Sequence, residues 1–126
     1  MISLKQVLLL NAVSSGATGA LLMLFPAPVA RLFGVAPVVP FVAVGAFLLV
    51  FAAGVGYEGM QKPPRSGRVQ RIIALDIAWV VGSLVAVALL FSTLSVLGNG
   101  LILAVAGWVA GMAFLQSKGL RELMPG

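Results

Sequence analysis

The sequence predicts an all-α integral membrane protein, a four-helix bundle running up-down-up-down with both termini in the cytoplasm. Three observations carry that expectation. Hydrophobic residues make up 61% of the 126 residues and charged ones only 9%, whereas a soluble domain carries about 25% charged residues. The apolar residues fall into four runs near the ~20-residue length an α-helix needs to cross a hydrocarbon core. The basic residues lie between or beside those runs, where they orient a membrane protein.

The first span runs from about Gln6 to Phe25 and is stopped by Pro26 and Pro28, which cannot continue a helix. Lys5, an apolar stretch and small residues near Ala17 to Ala20 superficially fit a secretion signal, but the run approaches full spanning length, so a retained first span is expected. Pro28 to Gly34 reads as one short amphipathic turn in the outer interface, with Arg31 reaching for headgroups. The second span runs from about Val39 to Tyr57, with Pro40 tolerated in its first turn. A polar linker follows, Gln61-Lys62-Pro63-Pro64-Arg65-Ser66-Gly67-Arg68. The third span covers about Val69 to Phe91, and Ser92 to Gly100 is expected to turn through Gly98-Asn99-Gly100. The fourth covers about Leu101 to Gln116 and leaves a short tail, Ser117 to Gly126. Residues 1–126 thus form a single transmembrane domain.

With an even number of spans, Lys5, the cluster Lys62, Arg65, Arg68 and Arg71, and the pair Lys118 and Arg121 share one side, while Arg31 alone faces the other. Short loops rich in Lys and Arg stay inside. The location expected is the bacterial cytoplasmic (inner) membrane. The same placement argues against a nucleic-acid partner despite the net charge of +5.

Composition removes many chemistries. Without Cys there is no disulfide, thiolate nucleophile or Fe–S cluster, and without His no Ser-His-Asp triad or imidazole ligand. Three acidic residues, Glu58, Asp76 and Glu122, are too few for a carboxylate-rich metal site. A retinal protein is disfavoured because Lys5, Lys62 and Lys118 lie outside the bilayer core. No cofactor and no enzymatic activity are expected. Pairing of Glu58 with Arg65, Arg68 or Arg71 is the expected fate of that carboxylate.

Asp76 is the ionisable group inside a span, and such a group is a functional-site hypothesis by default. It lies five residues beyond Arg71, about 7.5 Å along the axis. Its neighbours at i−4 and i+4, Ile72 and Val80, do not neutralise it, so its partner must come from another helix, from water or from a proton. Asn11, about 9 Å past Lys5, reaches nearly the same depth. Asn11, Ser14, Ser15 and Thr18 share a face of the first span, and Asp76, Trp79 and Ser83 share one on the third. The two stripes are expected to face each other along their lengths and enclose a polar groove open to the cytoplasm, with Asp76 near its mouth. Trp79 and Trp108 lie deeper than an interfacial belt would place them, as packing residues or as cavity wall. Asn11, Ser14 and Thr18 read first as helix-to-helix hydrogen-bonding groups and only second as ligands.

Second stripes of small residues accompany these: Ala12, Gly16 and Ala20 on the first span, Ala74, Ala78, Gly82 and Ala86 on the third, Gly107 and Gly111 on the fourth. Small residues every fourth position let helix backbones approach closely. The offset of 65 that relates 11, 14 and 18 to 76, 79 and 83 suggests two parallel units, but the identities differ and the second span does not resemble the fourth.

Asn11 with its small-residue helix, Leu24-Phe25-Pro26-Ala27-Pro28 and Ala74-Leu75-Asp76-Ile77-Ala78-Trp79-Val80-Val81-Gly82-Ser83 together resemble a group of small, largely uncharacterised four-helix bacterial inner-membrane proteins. The resemblance covers nearly the whole chain and implies that fold and membrane, with no activity attached. The chain is not similar to the small multidrug transporters, whose first helix carries a Glu where this one has an Asn/Ser/Thr face.

Two functions are expected ahead of an enzyme. One is an accessory or interaction subunit, as a homodimer or within a larger membrane complex, with Asp76 as a buried polar lock. The other is a ligand-binding or proton/cation-coupled transport module, in which a small ligand or proton occupies Asp76 with Asn11, Ser14, Ser15, Thr18, Trp79, Ser83 and Trp108 around it.

Overall fold

A computed structural model describes residues 3–123, and all of its regular structure is helical. The helices are α1 (Leu4–Leu24), α2 (Pro26–Phe33), α3 (Val39–Gly59), α4 (Ser66–Leu90) and α5 (Val96–Leu123). Four of them, α1, α3, α4 and α5, are long and apolar enough to cross a membrane. Large apolar side chains such as Val13, Val50, Leu89 and Val96 stand exposed, as lipid-facing positions must be where no water drives them inward.

Local chemistry sets the ends. Ser3 caps α1 in a reciprocal pair: its hydroxyl accepts from the Gln6 backbone N–H at 3.2 Å, and its own N–H donates to Gln6 Oε1 at 2.9 Å. Phe25 closes α1 through its N–H to the Leu21 carbonyl, and Pro26 opens α2 at the position where a missing N–H costs nothing. The stretch expected to form a single turn is therefore an eight-residue helix, burying Val29 and Ala30 and leaving Arg31 exposed. Gly34 ends it in the left-handed region, at φ 77°.

Two boundaries differ from expectation. Gly98, Asn99 and Gly100 lie inside α5, and the turn is confined to Phe91 through Ser95. Ser95 explains this: its hydroxyl accepts from the Gly98 N–H at 2.9 Å as a helix cap, and donates to the Leu32 carbonyl of α2 at 2.6 Å. The Asn99 amide donates to the Phe91 carbonyl at 3.0 Å, turning a turn-forming residue into a clamp on the preceding loop. At the other end, the expected tail continues as helix to Leu123, while 124–126 lie outside the described residues. Gly119 lets α5 approach Leu4 so closely that a Cβ there would stand 3.0 Å from the Leu4 Cβ, and Leu120 is buried in the core. Burial of Leu120 holds the last turns in helix.

The closest packing joins α1 and α3. Gly19 and Gly45 meet backbone to backbone: a Cβ on Gly19 would lie 2.8 Å from the Gly45 carbonyl oxygen. Gly16 opposes Ala52, Ala12 opposes Gly56, and Leu8 opposes Gly59. The small-residue stripe of the first span thus packs against a neighbour as expected, with Gly19 extending it. On α4 the stripe does not: Ala74, Ala78 and Gly82 are exposed. Gly82, Gly107 and Gly111 meet nothing within 4 Å of a Cβ position. Leu4, Leu8, Val55, Val69, Ile72 and Leu120 form a core cluster at the end of the bundle nearest Lys5, Arg68 and Lys118.

Candidate functional site

Asp76 is buried at 3% exposure, and its partners come from two other helices. Its Oδ2 accepts from the Asn11 side-chain amide of α1 at 3.2 Å and from the Gln116 amide of α5 at 2.8 Å. The Asn11 amide also donates to Gln116 Oε1 at 2.8 Å. Three side chains, one from each of α1, α4 and α5, thereby close a hydrogen-bonded ring in which every amide group has a partner. In a hydrocarbon surround an unpaired polar group costs several kcal/mol, so this ring fixes how the three helices sit together. Asp76 Oδ1 accepts no hydrogen bond from a described side chain.

Gln116 is the member that the sequence reading did not place in the site. It lies two residues before Lys118, so counting inward from the charge puts it near the surface, whereas α5 continues past it for seven more residues. The available signal was a lone amide in an apolar helical run, the same signal that marked Asn11.

The two polar stripes do not face each other along their lengths. No backbone stretches of α1 and α4 approach closely; α5 packs against both, and the Asn11–Asp76 bond is where the two helices' polar groups meet. The remaining stripe of α1 turns to its own backbone and to α5. Ser14 donates to the Asn11 carbonyl at 3.1 Å and Thr18 to the Ser14 carbonyl at 2.8 Å, while Ser15 donates to Asn11 Oδ1 at 3.2 Å and so orients the ring's amide. The Trp108 indole N–H donates to Ser14 Oγ at 3.1 Å, with the residue 46% exposed. The Ser83 side chain makes no hydrogen bond to a described residue and does not line the cavity.

That cavity holds about 310 Å³ and is walled by all four long helices. Ser14, Ser15 and Thr18 line it from α1, Phe47, Leu48 and Phe51 from α3, Leu75, Asp76 and Trp79 from α4, and Ala104, Val105, Trp108 and Val109 from α5. Trp79 and Phe47 stack across it, rings 6.5 Å apart and 9° from parallel. The Trp79 indole N–H is buried without an acceptor. The walls are mostly apolar, and the space lies on the far side of Asp76 from the basic residues. On the basic side of the cavity the Asn11–Asp76–Gln116 ring and the core cluster of Leu8, Val69, Ile72 and Leu120 fill the interior between α1, α4 and α5, so the expected polar groove does not continue along α1 and α4 to that end among the described residues.

Glu58 pairs with Arg65, one of the three partners expected. The carboxylate is 2% exposed, the guanidinium Nη2 lies 2.8 Å from Oε1, and the Arg65 backbone N–H donates to Oε2 at 2.7 Å. The pair ties the end of α3 to the start of α4, and the adjacent carboxylate raises the Arg65 guanidinium above its ordinary pKa. Among the described residues no three His, Cys, Asp or Glu side chains come together to hold a metal ion. Compared with known proteins, the chain matches no protein-family model, no curated protein and no solved structure.

Proposed function

We propose that the chain is a non-enzymatic multi-pass protein of the bacterial inner membrane, acting as an accessory or interaction subunit, with Asp76 as its internal polar lock. The observation that carries this reading is the ring itself: both amide groups converge on Asp76 Oδ2, at 3% exposure, and join α1, α4 and α5. A carboxylate so engaged serves to select one packing arrangement. The exposed Ala74, Ala78 and Gly82 lie on the far side of α4 from Asp76, available to a helix of a second copy, making a homodimer, or of a larger membrane complex.

An up-down-up-down path with both termini cytoplasmic belongs to the same proposal. Its support is the reversed order of the α1 and α3 contacts, Leu8 with Gly59 at one end and Gly19 with Gly45 further along, together with seven of the eight basic residues falling on one side. The test is affinity capture and crosslinking from native membranes, comparing the chain with Gly82→Leu. A stoichiometric partner lost in the variant is expected, since nothing inside the bundle touches Gly82. A monomer without stoichiometric partners in both forms overturns the reading.

One observation favours a second reading, a ligand-binding or proton/cation-coupled transport module. Asp76 lines the cavity of about 310 Å³ with an oxygen that no described side chain engages. Native mass spectrometry from lipid nanodiscs decides it: a small non-lipid mass held by the native chain and lost in Asp76→Asn supports a ligand site, and identical spectra remove it.

A further inference from the structure

A second hollow, of about 200 Å³, opens between α3 and α4 on the basic side of the ring. Its outer end carries Glu58, Arg68 and Arg71. Glu58 is already held by Arg65, and among the described residues neither Arg68 nor Arg71 makes a salt bridge. Its inner end is apolar, with Phe51 and Leu75, and those two residues also line the larger cavity. The two spaces therefore meet at Phe51 and Leu75, which marks a path of apolar side chains between α3 and α4 from the Arg68 and Arg71 end towards Phe47 and Trp79. The path exists because the two helices barely touch above their Glu58–Arg65 tie: α3 packs on α1, and α4 on α5.

From Arg68 to Trp79 the path runs eleven residues along α4, about 16 Å. That is about half of a ~30 Å hydrocarbon core, the depth that one leaflet's acyl chains occupy. We propose that this crevice binds one anionic phospholipid, its phosphate between Arg68 and Arg71 and one acyl chain laid between α3 and α4 into the cavity beside Trp79. Charge selects the occupant: with Glu58 held by Arg65, the two further arginines at the mouth, neither in a salt bridge, favour a negative headgroup, and the apolar walls behind them favour an alkyl chain. This site is independent of the partner-protein reading, because it uses the α3–α4 crevice and not the Gly82 face.

Gly54 supplies the decisive variant. It lines the crevice, and a Cβ there meets nothing within 4 Å, so Gly54→Phe starts from open space, projects into the path and leaves the charge unchanged. The reporter is Trp79 fluorescence in a Trp108→Phe background, with the chain in phosphatidylcholine vesicles containing a minor fraction of mid-chain brominated lipid. Brominated phosphatidylglycerol is expected to quench Trp79 at least twofold more than brominated phosphatidylcholine at equal mole fraction. Arg68→Gln with Arg71→Gln removes the headgroup preference, and Gly54→Phe removes the excess quenching. Equal quenching by the two headgroups in the Trp108→Phe protein overturns the proposal whatever the variants do. So does an excess that survives Gly54→Phe, which would place the anionic lipid on the outer surface at the arginines only.

Discussion

Removing the carboxylate of Asp76 is the perturbation whose cost the structure specifies best. In Asp76→Ala the amides of Asn11 and Gln116 both lose an acceptor, at 3.2 and 2.8 Å, and Asn11 keeps its bond to Gln116 Oε1 at 2.8 Å. Side-chain hydrogen bonds between membrane helices average about 0.6 kcal/mol and reach about 1.7. Two such bonds at a site this buried give an expected loss of about 2–3 kcal/mol. In Asp76→Asn the amide oxygen takes the place of Oδ2 and accepts from both partners, so the loss falls to about 1 kcal/mol or less. The assay is reversible unfolding in mixed detergent micelles as the fraction of dodecyl sulfate rises, followed by circular dichroism. A double-mutant cycle with Gln116→Ala should show coupling of about 1 kcal/mol, because both substitutions break the same bond. The reasoning fails if Asp76→Ala costs under about 0.5 kcal/mol, or if Asp76→Asn costs as much as Asp76→Ala.

Other consequences follow from particular contacts. Gly19→Ala sets a Cβ 2.8 Å from the Gly45 carbonyl oxygen and should destabilise by about 1–3 kcal/mol as an overpacked core does; Gly82→Ala, with open space around it, should be neutral or stabilising by up to about 1 kcal/mol, and equal effects in the same unfolding assay would contradict the α1–α3 crossing. Trp108→Phe removes one hydrogen bond to Ser14 from a half-exposed side chain at the cavity wall and keeps an aromatic ring there, so its cost should stay near 0.6 kcal/mol; a loss above about 2 kcal/mol would contradict that half-exposed placement. Because the chain has no Cys, Ser66→Cys and Ser92→Cys can each carry a single thiol, and an impermeant maleimide applied to intact cells should label only Ser92→Cys. Labelling of Ser66→Cys alone would invert the proposed orientation.

Helix existence was legible from the chain alone because membrane helices announce themselves by length and apolarity, and prolines at 26, 28 and 40 punctuate them. Asp76 and Asn11 were legible as partners for a related reason: polar side chains in hydrocarbon must find each other, and depth along a straight helix can be counted. The start of α5 at Val96 was not, since it rests on Ser95 capping α5 while its hydroxyl reaches across to the Leu32 carbonyl of α2. The fate of the small-residue stripes was also open, because the spacing of Ala12 and Gly16 is shared by Ala78 and Gly82, yet the first pair packs against α3 and the second faces outward.

The sequence by itself thus determined the class of protein, the four spans and the two polar residues that meet at positions 11 and 76. Only the tertiary structure decided that Gln116 completes the ring, that the cavity lies beyond it among aromatic rings, and that the gap between α3 and α4 leads from Arg68 and Arg71 towards Trp79. The physical reason is directional. Hydropathy and spacing fix which residues share a face and how deep they lie, but in a lipid surround every face is apolar enough to point outward. Which faces turn inward is settled by where backbones can approach, at Gly19 and Gly45, and where hydrogen bonds can close, at Asp76.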